Sequence, residues 1–250
     1  MSPWMFTQYA VLWLGFLLEG TAVYYILRRR FWQQMPAFST YCLFSAPRTL
    51  AVFLSNTYAS VTFAYYFYWA TELISAALAM WVIFELFLTV MQPYEGIRAL
   101  SRILFRWIVV GLVVLAFSFG IFSYRNSQWK YIADILALEE GIHIIQVGLI
   151  LFLFLFATTL ALSWRHRAFG IALGFGITAL GNLVAYTMLS TAGRAAVPVY
   201  DLLGPASYVC ATMIWVYYLA SPVPARAQVA RAPLSGLDGW DRAITQVLKR

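Results

Sequence analysis

Long apolar runs broken by short polar connections dominate the chain. Seven stretches approach or exceed the roughly 20 mostly apolar residues that a helix needs to cross the hydrocarbon core. They are Tyr9 to Leu27, Pro36 to Leu54, Phe63 to Val90, Leu104 to Phe122, Gly141 to Leu162, Phe169 to Leu189 and Val199 to Leu219. The pattern predicts an all-α polytopic membrane protein of seven transmembrane helices. The third run is longer than a bilayer requires, so it should tilt or project. The fifth is expected to extend outward through Tyr131 to Glu140.

Lys and Arg in the connections set the orientation, because short loops rich in them stay in the cytoplasm. Arg28, Arg29, Arg30, Arg98, Arg102, Arg106, Arg165, Arg167, Arg226, Arg231, Arg242, Lys249 and Arg250 fall on one side; Arg125, Lys130 and Arg194 fall on the other. This asymmetry places the carboxyl terminus in the cytoplasm and the amino terminus outside, in a multi-pass protein of the inner (cytoplasmic) membrane. The first residues have no basic n-region and no small-residue cleavage site, so the first run is expected to be a retained span. Aromatic belts at both interfaces agree, with Trp4, Tyr65, Tyr66 and Trp129 outside, and Phe31, Trp32, Trp107 and Trp164 inside.

Composition strengthens this picture: 62% hydrophobic and 11% charged residues leave too little polar surface for a soluble globule. The net charge of +7 comes from short clusters between apolar runs, which fits a bilayer partner and not nucleic acid. Residues 1–220 then form the membrane domain, and residues 221–250 a basic cytoplasmic tail. Within the tail, Ser235 and Asp238 are spaced like a capping box, and Leu237, Trp240, Ile244, Val247 and Leu248 fall near one helical face. A short amphipathic helix over about residues 236–249 is expected, lying on anionic lipid or ordering against a cytoplasmic protein partner.

Ionisable groups at membrane depth are expensive, and therefore lead the list of candidates. Glu19 lies nine residues before Arg28, Arg48 twelve after Pro36, and Glu72 nine after Phe63, which puts all three about 14 to 18 Å from a membrane edge at the helical rise. Short loops make their helices neighbours. A buried guanidinium needs a partner, so Arg48 is expected to contact Glu72, Glu19 or both. Two carboxylates on one arginine would let one hold a proton, as a relay or recognition site requires; a pairing that only locks helix register is the alternative. Pro47 predicts a kink beside Arg48, either opening room there or serving packing alone. Glu85 is nearer the cytoplasmic end, where a carboxylate reaches water.

A second polar group sits at the outer end of span five. Glu139, His143 and Gln146 share a face there, next to Glu140. These residues read either as a polar helix end in water or as the mouth of an outward-facing pocket, with Asp201 as one wall. Glu140-Gly-Ile-His143 matches half of a di-iron Glu-x-x-His pattern, but the sequence has no second copy, so neither a metal nor another cofactor is expected. In span six, Gly170 and Gly174 form a GxxxG that suits close helix packing, inside the bundle or in a dimer. Asn182, near mid-depth on the same span, should hydrogen-bond to a neighbour.

Span seven has no lysine for a retinal Schiff base, and the chain lacks a Walker A loop, an HExxH motif and a nucleophile elbow. Spans one, five and six lack the prolines of SWEET-type sugar transporters. Tyr65 to Leu86, Ile103 to Trp107, and Leu149 to Gly176 with Ser163-Trp164-Arg165-His166 and Phe169-Gly170-Ile-Ala-Leu-Gly174 resemble an uncharacterised bacterial seven-helix membrane family. More weakly, the chain resembles the seven-helix sensor regions that precede histidine kinases, and the kinase domain is missing from these 250 residues. The resemblance implies a fold and no established activity. The first functional reading is a non-enzymatic module that binds a small molecule or partner. A small-solute or proton-coupled transporter using Glu19, Arg48 and Glu72 comes second, and an intramembrane enzyme third.

Overall fold

A computed structural model describes residues 3–90, 110, 133–159 and 167–221. Six helices carry the described chain: α1 (Pro3–Arg28), α2 (Pro36–Tyr58), α3 (Val61–Val90), α4 (Ala133–Thr159), α5 (Arg167–Ala192) and α6 (Val197–Ala220). No strand occurs among the described residues. Leu104 to Phe122 and the tail helix expected over residues 236–249 lie outside the described residues.

Local chemistry sets the helix ends. Arg30 takes a left-handed conformation (φ 50°) that ends α1 and starts a short 3-10 turn, Phe31–Gln33. Pro36 then opens α2, where its missing N–H is one the helix cannot use anyway. Ser60 accepts the Phe63 N–H at 3.3 Å and so caps α3.

Each helix packs on the next, and α6 returns to α1, which closes a ring in chain order; α3 also touches α5. Side chains at the termini fix which ends coincide. Glu85, near the end of α3, accepts the Ala37 and Phe38 N–H groups at the start of α2, both at 3.1 Å. Its carboxylate thus satisfies two orphan donors and faces the positive end of the α2 dipole, a role beyond reaching water. Arg29 donates to the Ser221 and Ala220 carbonyls at 2.7 Å, and Arg167 donates to Ser221 at 3.3 Å, so two guanidinium groups neutralise the negative end of α6. Phe87 stacks on Phe152, and Phe154 meets Phe169. One end of the bundle therefore gathers the ends of α1, α3, α4 and α6 with the starts of α2 and α5, and it is the end that carries Arg28, Arg29, Arg30 and Arg167.

The apolar core fills this basic end. It runs through Ala22 and Ile26, Phe31 to Cys42, Ala79 to Phe87, Leu149 to Leu153, Ala168 to Phe175, and Ala211 to Leu219. At its centre Phe38 and Tyr41 of α2 reach Phe175 and Trp215 with ring centroids 4.9 to 6.4 Å apart, mostly edge to face. The GxxxG glycines serve this internal packing. A Cβ on Gly170 would strike the Tyr218 ring, and one on Gly174 would strike the Trp215 indole, so both glycines admit α6 aromatics against the α5 backbone.

Among the described residues, four helices are long and apolar enough to cross a membrane, namely Tyr9–Arg28, Val61–Thr89, Arg167–Leu189 and Val197–Ala220. The described chain is accordingly all-helical and of membrane type. In α4 the apolar stretch is shorter, Glu140–Leu155. The 23-residue α2 is long enough but too polar, because it carries Arg48, Ser45 and Thr49 toward neighbouring helices and hydroxyls and prolines elsewhere.

Candidate functional site

Polar side chains collect in the middle of the bundle and at the end opposite the arginines. Glu19 of α1, only 4% exposed, is the most enclosed member of the central group. Its Oε1 accepts from Ser45 at 2.7 Å, from Tyr208 at 2.6 Å and from Thr49 at 3.2 Å. Ser45 and Thr49 are four residues apart on α2, so one helix face presents both hydroxyls to α1. Tyr208 arrives from α6. The second oxygen, Oε2, is buried and has no hydrogen-bond partner.

Arg48 turns the other way. It forms an ion pair with Glu72 of α3, and its guanidinium lies 5.9 Å from the centre of the Tyr68 ring. Both partners are partly enclosed, with side chains 18 and 19% exposed. Of the two pairings expected from depth, the structure makes the one with Glu72, while Glu19 is held by hydroxyls. The reason is angular: consecutive residues on a helix point about 100° apart, so Thr49 faces α1 when Arg48 faces α3. The Arg48 Nε is buried without a partner. Tyr41, also on α2, has its hydroxyl beside Ser75 and its ring against Trp215.

The group on α4 is enclosed rather than wet. Glu140, His143 and Gln146 are 2, 6 and 7% exposed, which overturns the polar helix end in water. Glu140 accepts from Thr187 of α5 at 2.8 Å. The His143 ring stacks on Tyr186 with centroids 5.4 Å apart, and its Nδ1 lies 3.0 Å from the Gln146 Oε1. Tyr200 of α6 in turn donates to the Tyr186 hydroxyl at 3.4 Å. The Glu72 charge is felt at His143 across the bundle interior. Asp201 is exposed on α6, and the Glu139 side chain lies outside the described residues. Asn182 faces α6, where its Oδ1 would be 3.1 Å from a Cβ placed on Gly204.

Sequence reasoning missed the hydroxyl set around Glu19. The spacing of Ser45 and Thr49 on either side of Arg48 is a usable signal, since a helix that turns a cation to one neighbour can turn hydroxyls to another. Tyr208 gives none, because its partner is 189 residues away. The His143 stack on Tyr186 is equally hidden. Among the described residues, no group of three or more His, Cys, Asp and Glu side chains could hold a metal ion. Comparison with protein-family models, with curated proteins and with solved structures gives no match.

Proposed function

We propose that the chain is a non-enzymatic module of the inner membrane that receives a small molecule on its outer side and passes the event to a partner, with the tail of residues 221–250 as the cytoplasmic contact. The observation that carries this reading is the division of the interior. Buried Glu19, Ser45, Ser75, Glu140, His143 and Gln146 occupy the middle and one end, whereas the basic end is closed by Phe31, Phe38, Phe87, Phe175 and Trp215. An interior polar at the middle and one end and apolar at the other suits one-sided recognition better than passage.

Seven spans with the amino terminus outside are part of this proposal. The common direction of α3 and α4 toward the basic end supports this reading, and the sequence offers one apolar run between them, Leu104 to Phe122. Arginines at that end favour the cytoplasm. A reporter fused after Arg250 is expected to be active only in the cytoplasm, and one at the amino terminus only outside; the reverse pattern would sink the orientation.

Transport is the second reading, favoured by the several ionisable groups in the bundle interior, Glu19, Arg48–Glu72 and His143. Purified protein in liposomes decides between the two. Labelled sugars, amino acids and organic acids, with and without a proton gradient, are expected to enter no faster than into protein-free liposomes. Saturable uptake of any of them would replace the sensor with a carrier.

A further inference from the structure

We propose that Glu19, Ser45, Thr49 and Tyr208 form a binding site for one alkali metal cation. The site goes beyond the sensor reading and does not depend on it.

Charge comes first. Glu19 is almost wholly enclosed, and no cationic side chain among the described residues meets it, since Arg48 is engaged by Glu72. With its carboxylate ionised, the Glu19, Arg48 and Glu72 set sums to one negative charge in the bundle interior. A buried charge of this kind is tolerated when paired or when it ligates a metal. The deficit is a single positive charge, which selects a monovalent ion over a divalent one.

Hydrogen-bond accounting gives the second argument. The Ser45 Oγ, the Tyr208 hydroxyl and the Glu19 Oε1 form a triangle with edges of 2.6, 2.6 and 2.7 Å. Two hydroxyl protons serve these three edges. With the carboxylate ionised, one close oxygen pair has no hydrogen between its atoms, and a cation held by these oxygens would offset the repulsion between their lone pairs. Thr49 divides its own proton between Oε1 and the Ser45 carbonyl, both at 3.2 Å, and so adds a weakly committed oxygen. The Glu19 Oε2, buried without a partner, supplies the anionic ligand.

Donor chemistry gives the third. All four side chains offer oxygen, the donor of hard cations, and none offers sulfur or imidazole nitrogen. Three helices contribute, α1, α2 and α6, so an ion here would tie the two ends of the ring together.

The test is thermal unfolding of the full-length protein in a neutral detergent. Sodium, potassium and lithium chloride are compared with choline chloride at one ionic strength and one pH. A ligand that binds only the folded state raises the unfolding temperature with its concentration. A saturable rise is expected with at least one alkali ion and none with choline. Glu19→Gln should remove the ion-specific rise. Ser45→Ala and Tyr208→Phe, which keep the carboxylate and serve if Glu19→Gln fails to fold, should each raise the half-saturating concentration about fivefold, the worth of one ordinary hydrogen bond. Equal unfolding temperatures in sodium, potassium, lithium and choline would overturn the site. So would an ion-specific rise that survives Glu19→Gln, or a stabilisation that follows pH alone in choline, which would assign the oxygen to a proton.

Discussion

Glu72→Gln is expected to destabilise the protein by about 3 kcal/mol, more than Arg48→Met does, and the double variant is expected to recover part of the loss. The ordering follows from what each change leaves behind. Glu72→Gln would strand a guanidinium that is partly enclosed beside Tyr68 and cannot shed its charge at accessible pH. Arg48→Met would strand a carboxylate, which can neutralise itself by taking a proton. Making both changes together strands no charge at all. A thermodynamic cycle on unfolding in detergent should therefore return a coupling of about 1 kcal/mol or more between neighbours in direct contact. Additive losses would show that the pair holds no register, and that the bundle tolerates either charge by reorienting it to water.

That Arg48 and Glu72 lie at one level of the bundle, with Glu19 beside the same turn of α2, is legible in the sequence because the helical rise is fixed. Which pairs form is not, because depth is one coordinate and a helix also has a rotation. Arg48 and Thr49 are adjacent in the chain, yet they serve different neighbours, Glu72 of α3 and Glu19 of α1. Apolar periodicity fixes rotation for an ordinary amphipathic helix. Here lipid outside and protein inside are both apolar, so the pattern is nearly uniform around each helix and carries little rotational signal.

The same loss of contrast explains the α4 cluster. Counting from Trp164 puts Glu140, His143 and Gln146 at the outer interface, and at an interface a carboxylate, a histidine and an amide ordinarily face water. The structure instead turns them toward Thr187 and Tyr186 of α5. Nothing in the spacing of α4 distinguishes the two rotations; the signal lies in Tyr186 and Thr187 themselves, on the following helix. Glu85 shows the complementary case. Its place near the end of an apolar run is plain, but its partners, two N–H groups of α2, are backbone atoms that carry no sequence signature.

Gly174→Ala is expected to cost about 2 to 4 kcal/mol, the range for overpacking a well-filled core combined with a hydrogen bond lost indoors. Its added methyl group would fall on the Trp215 indole. The indole has nowhere to go: it is 1% exposed, ringed by Phe38, Tyr41, Phe175 and Tyr208, and its Nε1–H donates to the Ile171 carbonyl at 3.2 Å. Gly20 is the control. A Cβ there meets nothing within 4 Å, so Gly20→Ala should be neutral or gain up to about 1 kcal/mol from helix propensity. Adding Trp215→Phe to Gly174→Ala removes both the clash and the stranded indole donor, and should restore part of the stability. All four proteins are compared by thermal unfolding in detergent and by light-scattering mass. If the Gly170–Gly174 pair instead mediates association between copies, Gly174→Ala would lower the oligomeric mass while leaving the unfolding temperature of the monomer near that of the parent protein.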